Sequence, residues 1–148
     1  MVLKFGKVLH LGIVVRDLEK AVKIYEEELG IGPWKIESAS PFFDDKLVND
    51  GVGLNIRTAI FRGDGYEIEL CTPTGPGVFK DWLDQHGPSL HHVKLESDAA
   101  YEEVVGMAER TSGRKPYLDV RWPDGKPLVA YADLLEETGL LLEIGADQ

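Results

Sequence analysis

Two stretches decide the fold: Leu9–Asp17, LHLGIVVRD, and Leu90–Asp98, LHHVKLESD. Leu9–Val15 and Leu90–Glu96 each read as a short apolar strand opened by histidine, and each runs straight into amphipathic helical sequence. After the first, Leu18, Ala21, Val22, Ile24, Tyr25 and Leu29 keep helical spacing, with Glu19, Lys20, Lys23, Glu26 and Glu27 on the opposite face. Asp17 offers the N-cap, and Gly30 with Gly32-Pro33 stops the helix. After the second, Ser97 or Asp98 is expected to cap a helix reaching about Arg110.

Strands follow each helix. In the first half they are expected at Trp34–Ser38, Leu54–Phe61 and Tyr66–Cys71, with a loop through Pro41–Gly53 and a hairpin turn at Arg62-Gly63-Asp64-Gly65. In the second they are expected at Tyr117–Arg121, Leu128–Ala132 and Leu140–Ile144, with turns at Pro123-Asp124-Gly125 and near Thr138-Gly139. Thr72–Gly77 reads as a connector, followed by a short helix, Val78–Gln85, closed by His86-Gly87-Pro88. Both halves are thus β-α-β-β-β, and an internal duplication is the economical reading. Residues 1–148 form one α+β domain, with module one at about 7–73, a connector at about 74–88 and module two at about 89–146.

Strand parity then selects candidate ligands, because alternate side chains point to opposite faces. Leu11, Ile13 and Val15 should pack under the first helix, leaving His10 on the other face. Val93 and Leu95 should pack under the second, so His92 corresponds to His10 and His91 stays with the apolar set. Glu69 in YEIELCTP lies 59 residues after His10, and Glu143 in LLLEIGAD lies 51 residues after His92. A carboxylate inside such an apolar strand is costly unless compensated. Two imidazoles and two carboxylates meeting at one point would make a divalent-cation site. Glu67 and Glu96 read as solvent-facing, and His86 as a helix-terminus cap. Trp34, Trp82 and Trp122 read as packing residues. Lys94 shares the face of His92, with site and surface readings both open. Arg57, assigned to the inner face with Asn55, is a weaker candidate.

Composition narrows the partners. The chain is 43% hydrophobic and 28% charged, ordinary for a globular protein, with a formal charge of −10. That acidity disfavours nucleic acid and anionic membrane. Met1–Lys7 has no long apolar core, and no run approaches the ~18 apolar residues of a membrane span, so a cytoplasmic protein is expected. Cys71 is the only cysteine, which excludes an intrachain disulfide and a zinc knuckle.

The stretch HLGIVVRDLEKAVKIYEEELG (10–30) closely resembles the opening strand and helix of the vicinal oxygen chelate superfamily. That superfamily includes glyoxalase I, methylmalonyl-CoA epimerase, extradiol dioxygenases and bleomycin or fosfomycin resistance proteins. EIELCTP (67–73), GVFKDWLDQHGPSLHHVKLES (77–97), GKPLVAYAD (125–133) and GLLLEIG (139–145) look most like the methylmalonyl-CoA epimerase branch. The resemblance implies paired βαβββ modules forming an open, U-shaped barrel around a metal. It matches His10, Glu69, His92 and Glu143 to the family's ligand positions. The branch's Glu-Gln-Gly-Val-type segment, which supplies a catalytic carboxylate, is replaced here by Asn49-Asp50-Gly51-Val52. Its His-Pro pair is replaced by Ala132-Asp133.

Four ligands leave two octahedral positions for water or for a substrate with adjacent oxygens. The set suits Zn, Mn, Co or Ni, and exceeds the two-His, one-carboxylate triad of iron oxygenases. The expected function is a metal-dependent epimerase or isomerase working through a metal-stabilised enolate, acting on a 2-substituted acyl thioester or related ketone. Glu143, Lys94 and Asp50 are the candidate acid/base groups. The alternatives are a glyoxalase I-like lyase and a non-catalytic binding protein of the resistance type. The expected partners are a small molecule and a second copy of the chain.

Overall fold

The computed structural model describes residues 3–37 and 54–145. The expected loop through Pro41–Gly53, with Asp50 in it, lies outside the described residues. Two compact units emerge, one holding residues 10–37 and 54–91, the other 3–9 and 92–145.

The first unit holds most of β1 (Phe5–Val14), then α1 (Leu18–Glu27), β2 (Lys35–Glu37), β3 (Leu54–Arg62), β4 (Glu67–Gly77) and α2 (Val78–His86). Asp17 caps α1 as expected, its carboxylate accepting the Lys20 N–H at 3.1 Å. β1 pairs parallel with β4, and β4 antiparallel with β3, which pairs antiparallel with β2. Leu18 and Val22 of α1 pack on Ala59, Ile68 and Leu70, with Ile13 and Val15 at the margin. The helix therefore covers the face that parity assigns to it. The hairpin turn is also in place: the Gly63 N–H donates to Tyr66 O at 2.9 Å, and Gly65 takes a φ of 80°.

The second unit repeats the topology with most of β5 (Ser89–Ser97), then α3 (Tyr101–Ser112), β6 (Leu118–Arg121), β7 (Pro127–Leu134), α4 (Leu135–Thr138) and β8 (Leu140–Gly145). β5 pairs parallel with β8, β8 antiparallel with β7, and β7 antiparallel with β6. Tyr101, Val104, Val105 and Ala108 of α3 pack on Ala130, Ala132, Leu142 and Ile144. Within the first unit the strand order is β2-β3-β4-β1, and within the second it is β5-β8-β7-β6.

Three details differ from the sequence reading. Thr72–Gly77 is not a connector: it prolongs β4, where Pro73 and Gly77 pair with Ile56 and Leu54 of β3. A proline is tolerated where its missing N–H is not needed by the ladder. Neither Ser97 nor Asp98 caps α3. Ala100 does so without a side-chain bond, while the Ser97 hydroxyl donates to Lys4 O and accepts the Ala99 N–H, both at 3.1 Å. The turn near Thr138 is a one-turn helix, α4, ended by Gly139 in the left-handed region.

Arginines clamp the second unit at its surface. Arg121 binds Asp119 (3.1 Å) and Glu102 (2.9 Å), and Tyr101 donates to Asp119 at 2.9 Å. Burial, aided by that carboxylate, pushes the Tyr101 phenol well above its usual range. Arg114 binds Glu137 at 2.6 Å and Asp133 at 3.3 Å, tying the end of α3 to β7 and α4.

Two predictions follow from these local devices. Asp17→Ala should cost about 1 kcal/mol of stability in urea unfolding, whereas Asp17→Asn should cost much less. Arg114 holds the Glu137 carboxyl below its ordinary value of 4.5 through a hydrogen bond. A carboxyl depressed in the fold stabilises above its unfolded value, and that contribution is lost as pH falls through the folded one. Thermal unfolding of Arg114→Gln should therefore differ from wild type at neutral pH, with the gap narrowing steadily below about pH 4.5.

Candidate functional site

Each unit buries one histidine against one glutamate on the sheet face opposite its helix. In the first, β1 and β4 run parallel with His10 opposite Glu67 and Gly12 opposite Glu69. That register puts Glu67, Glu69 and Cys71 on the face of His10. His10 is 7% exposed and Glu69 9%, with His10 Nε2 3.7 Å from Glu69 Oε1. The Cys71 thiol, fully buried, donates to the same Glu69 oxygen at 3.3 Å. Such a contact holds the carboxylate in one rotamer.

The other ring nitrogen of His10 also meets a carboxylate. Nδ1 lies 3.6 Å from Glu67 Oε1, while Glu67 Oε2 accepts from Arg62 Nε at 2.8 Å. Glu67 was expected to face solvent. It is half-buried instead, because parallel pairing sets it directly beside His10.

In the second unit His92 is completely buried, its Nε2 3.9 Å from Glu143 Oε2. The register explains the approach: Glu143 of β8 lies opposite Tyr131 of β7, while Val93 pairs with Leu142, sending His92 and Glu143 to the same face. Tyr131, 4% exposed, stacks on the His92 ring with centroids 4.6 Å apart. Tyr131 sits in an apolar run, LVAYAD, where it reads as ordinary core. Its signal in sequence is only its parity with Glu143 once β7 and β8 are paired.

Lys94 shares the His92 face and is half-buried. A Cβ placed on Gly145 would come 3.3 Å from its ammonium, so the glycine leaves the space Lys94 Nζ occupies. Arg57 is a correction. β3 puts Thr58 opposite Cys71, so Thr58 is on the His10 side and Arg57 on the α1 side, where it pairs with Glu19. That hydrogen bond holds Glu19 below its usual range. The face is set by the pairing of β3 with β4, which the sequence of β3 alone does not supply. His86 does cap its helix, Nδ1 lying 3.2 Å from Trp82 O. Trp34 packs with Tyr25 and Phe61, and Trp82 is buried, but Trp122 is 36% exposed and is no core residue.

A model of the Glyoxalase/Bleomycin resistance protein/Dioxygenase superfamily matches residues 9–113. No curated protein sequence matches the chain significantly. Among solved structures, the chain is similar to methylmalonyl-CoA epimerase from Mycobacterium tuberculosis, with 22% identity and a TM-score of 0.63 over 93% of this chain and 85% of that one. It is similar to a hypothetical protein from Bacillus halodurans C-125, with 18% identity and a TM-score of 0.65 over 93% and 91%. A variant of Streptomyces coelicolor methylmalonyl-CoA epimerase in complex with 2-nitronate-propionyl-CoA gives 18% and 0.63 over 95% and 93%. At these identities the likeness is one of fold.

The adjacent histidines of β5 have opposite surroundings. His91 is 3% exposed under α2, stacked on Phe79 and edge-on to Trp82, both with centroids 4.8 Å apart. His91→Ala should cost about 2–5 kcal/mol in chemical unfolding, as for other large-to-small core changes.

Proposed function

The chain belongs to the glyoxalase/bleomycin resistance protein/dioxygenase superfamily, and from that membership we propose a metal-dependent epimerase or isomerase acting on a 2-substituted acyl thioester of the acyl-CoA type. The observation that carries this reading is the His–Glu pair buried at matching strand positions in each half. His10, Glu69, His92 and Glu143 are the proposed ligands of one divalent ion. The donor chemistry fits: two neutral imidazoles and two carboxylates balance a 2+ charge, and a mixed N/O set suits Zn, Mn, Co or Ni. A cation also accounts for burying carboxylates in apolar strands. Neighbouring folds that are methylmalonyl-CoA epimerases support the thioester as substrate class.

Bound there, the ion supplies Lewis-acid polarisation of a substrate carbonyl and so lowers the cost of removing the α-proton. The chain's own groups must move that proton. Epimerisation removes it on one face and returns it on the other, which requires two acid/base groups. Lys94, Glu143 and Asp50 are the groups assigned to that exchange. Lys94 can hold a proton at Nζ over Gly145, on the face it shares with His92. The carboxylates can accept one.

Protein purified without chelators should contain a stoichiometric divalent metal. In D2O it should exchange deuterium into the α-carbon of 2-substituted acyl-CoA esters, with Lys94→Ala slowing exchange roughly 10²–10⁴-fold. No exchange by metal-replete protein across such a panel, followed by NMR, would overturn the epimerase. Turnover of a hemithioacetal instead would assign the lyase.

A further inference from the structure

Glu67 belongs to neither the expected ligands nor the acid/base groups, yet its carboxylate lies between Arg62 and a proposed ligand histidine. It sits where two strand registers cross, opposite His10 in β1 and opposite Arg62 in β3. Each of its oxygens faces a different neighbour: Oε2 accepts from Arg62 Nε at 2.8 Å, and Oε1 faces His10 Nδ1 at 3.6 Å. The imidazole is therefore flanked by two carboxylates, Glu67 at Nδ1 and Glu69 at Nε2.

A neutral imidazole has one proton for two nitrogens. If Nε2 presents its lone pair to a cation beside Glu69, the proton must reside on Nδ1, which Glu67 Oε1 faces at 3.6 Å. We propose that Glu67 is a positioning residue, clamped by Arg62, that fixes the ring orientation and Nδ1–H tautomer of His10 for metal binding. This inference rests on the metal reading given above. Outer partners of this kind fix a ligand histidine and raise its basicity. Arg62 matters because it offsets the charge of Glu67, so the support adds no net negative charge.

The two halves differ here. The residue two before Glu143, as Glu67 is two before Glu69, is Leu141, which is 1% exposed. In that half the His92 ring is stacked on Tyr131. The duplicated pairs are thus supported differently, and removing Glu67 should perturb His10 while sparing His92.

The test is zinc affinity by chelator competition, together with side-chain nitrogen NMR of the zinc-loaded protein, on wild type, Glu67→Gln and Glu67→Leu. The expected result is affinity weakened tenfold or more, within the roughly 10–100-fold range for outer partners. The His10 Nδ1–H signal should shift or broaden, while the His92 signals and the thermal midpoint of the apo-protein hold. Zinc-binding wild type with unchanged affinity and unchanged His10 signals in both variants would overturn the positioning role. Failure of wild type to bind zinc or any other divalent ion would instead remove the metal reading, and this inference with it.

Discussion

Two carboxylates placed in the middle of apolar strands are the constraint on which the rest depends. Glu69 lies between Ile68 and Leu70, and Glu143 between Leu142 and Ile144, with all four apolar neighbours buried. A buried carboxylate costs several kcal/mol unless something compensates its charge. The strand period of two resolves the conflict. It turns the apolar residues towards the helices, into the cores under α1 and α3, and turns each glutamate to the opposite face beside a histidine. Helix packing and ligand placement are therefore one decision, since a one-residue slip would exchange the two faces.

The same topology in both halves does not impose the same chemistry around each pair. His10 lies between Glu67, which accepts from Arg62, and Glu69, which accepts from Cys71. His92 stacks on Tyr131 and lies against Glu143 of β8. Charge is distributed unequally as well. Arg114 and Arg121 each gather two acidic groups around α3, whereas α1 carries the exposed Arg57–Glu19 pair and Asp17 as its cap. Such exposed pairs contribute little singly, and their value lies in connecting α3 to β6, β7 and α4.

Much of this was legible in the chain. Helical spacing from Leu18 and the Asp17 cap placed α1, and alternation around His10 and His92 placed β1 and β5 and chose His92 over His91. The misreadings share a cause. Thr72–Gly77 looked like a linker because proline and glycine are weak strand formers, yet pairing with β3 overrides local preference. Arg57 was assigned to the wrong face because that face is set by pairing with β4, which a parity count within β3 does not supply. Ser97 looked like a cap but spends its hydroxyl on Lys4, 93 residues away.

By itself, then, the sequence determined the βαβββ repeat, the two apolar faces and the side of the strand on which His10, Glu69, His92 and Glu143 lie, because each follows from periodicity and sign of hydropathy within a few residues. Tertiary structure alone decided which strand lies beside which, and in what register. That placed Glu67 against His10 Nδ1, Cys71 on Glu69 and Tyr131 on His92. None of these contacts is a matter of spacing along the chain. They arise from hydrogen-bond registers between strands far apart in sequence, which no local pattern encodes.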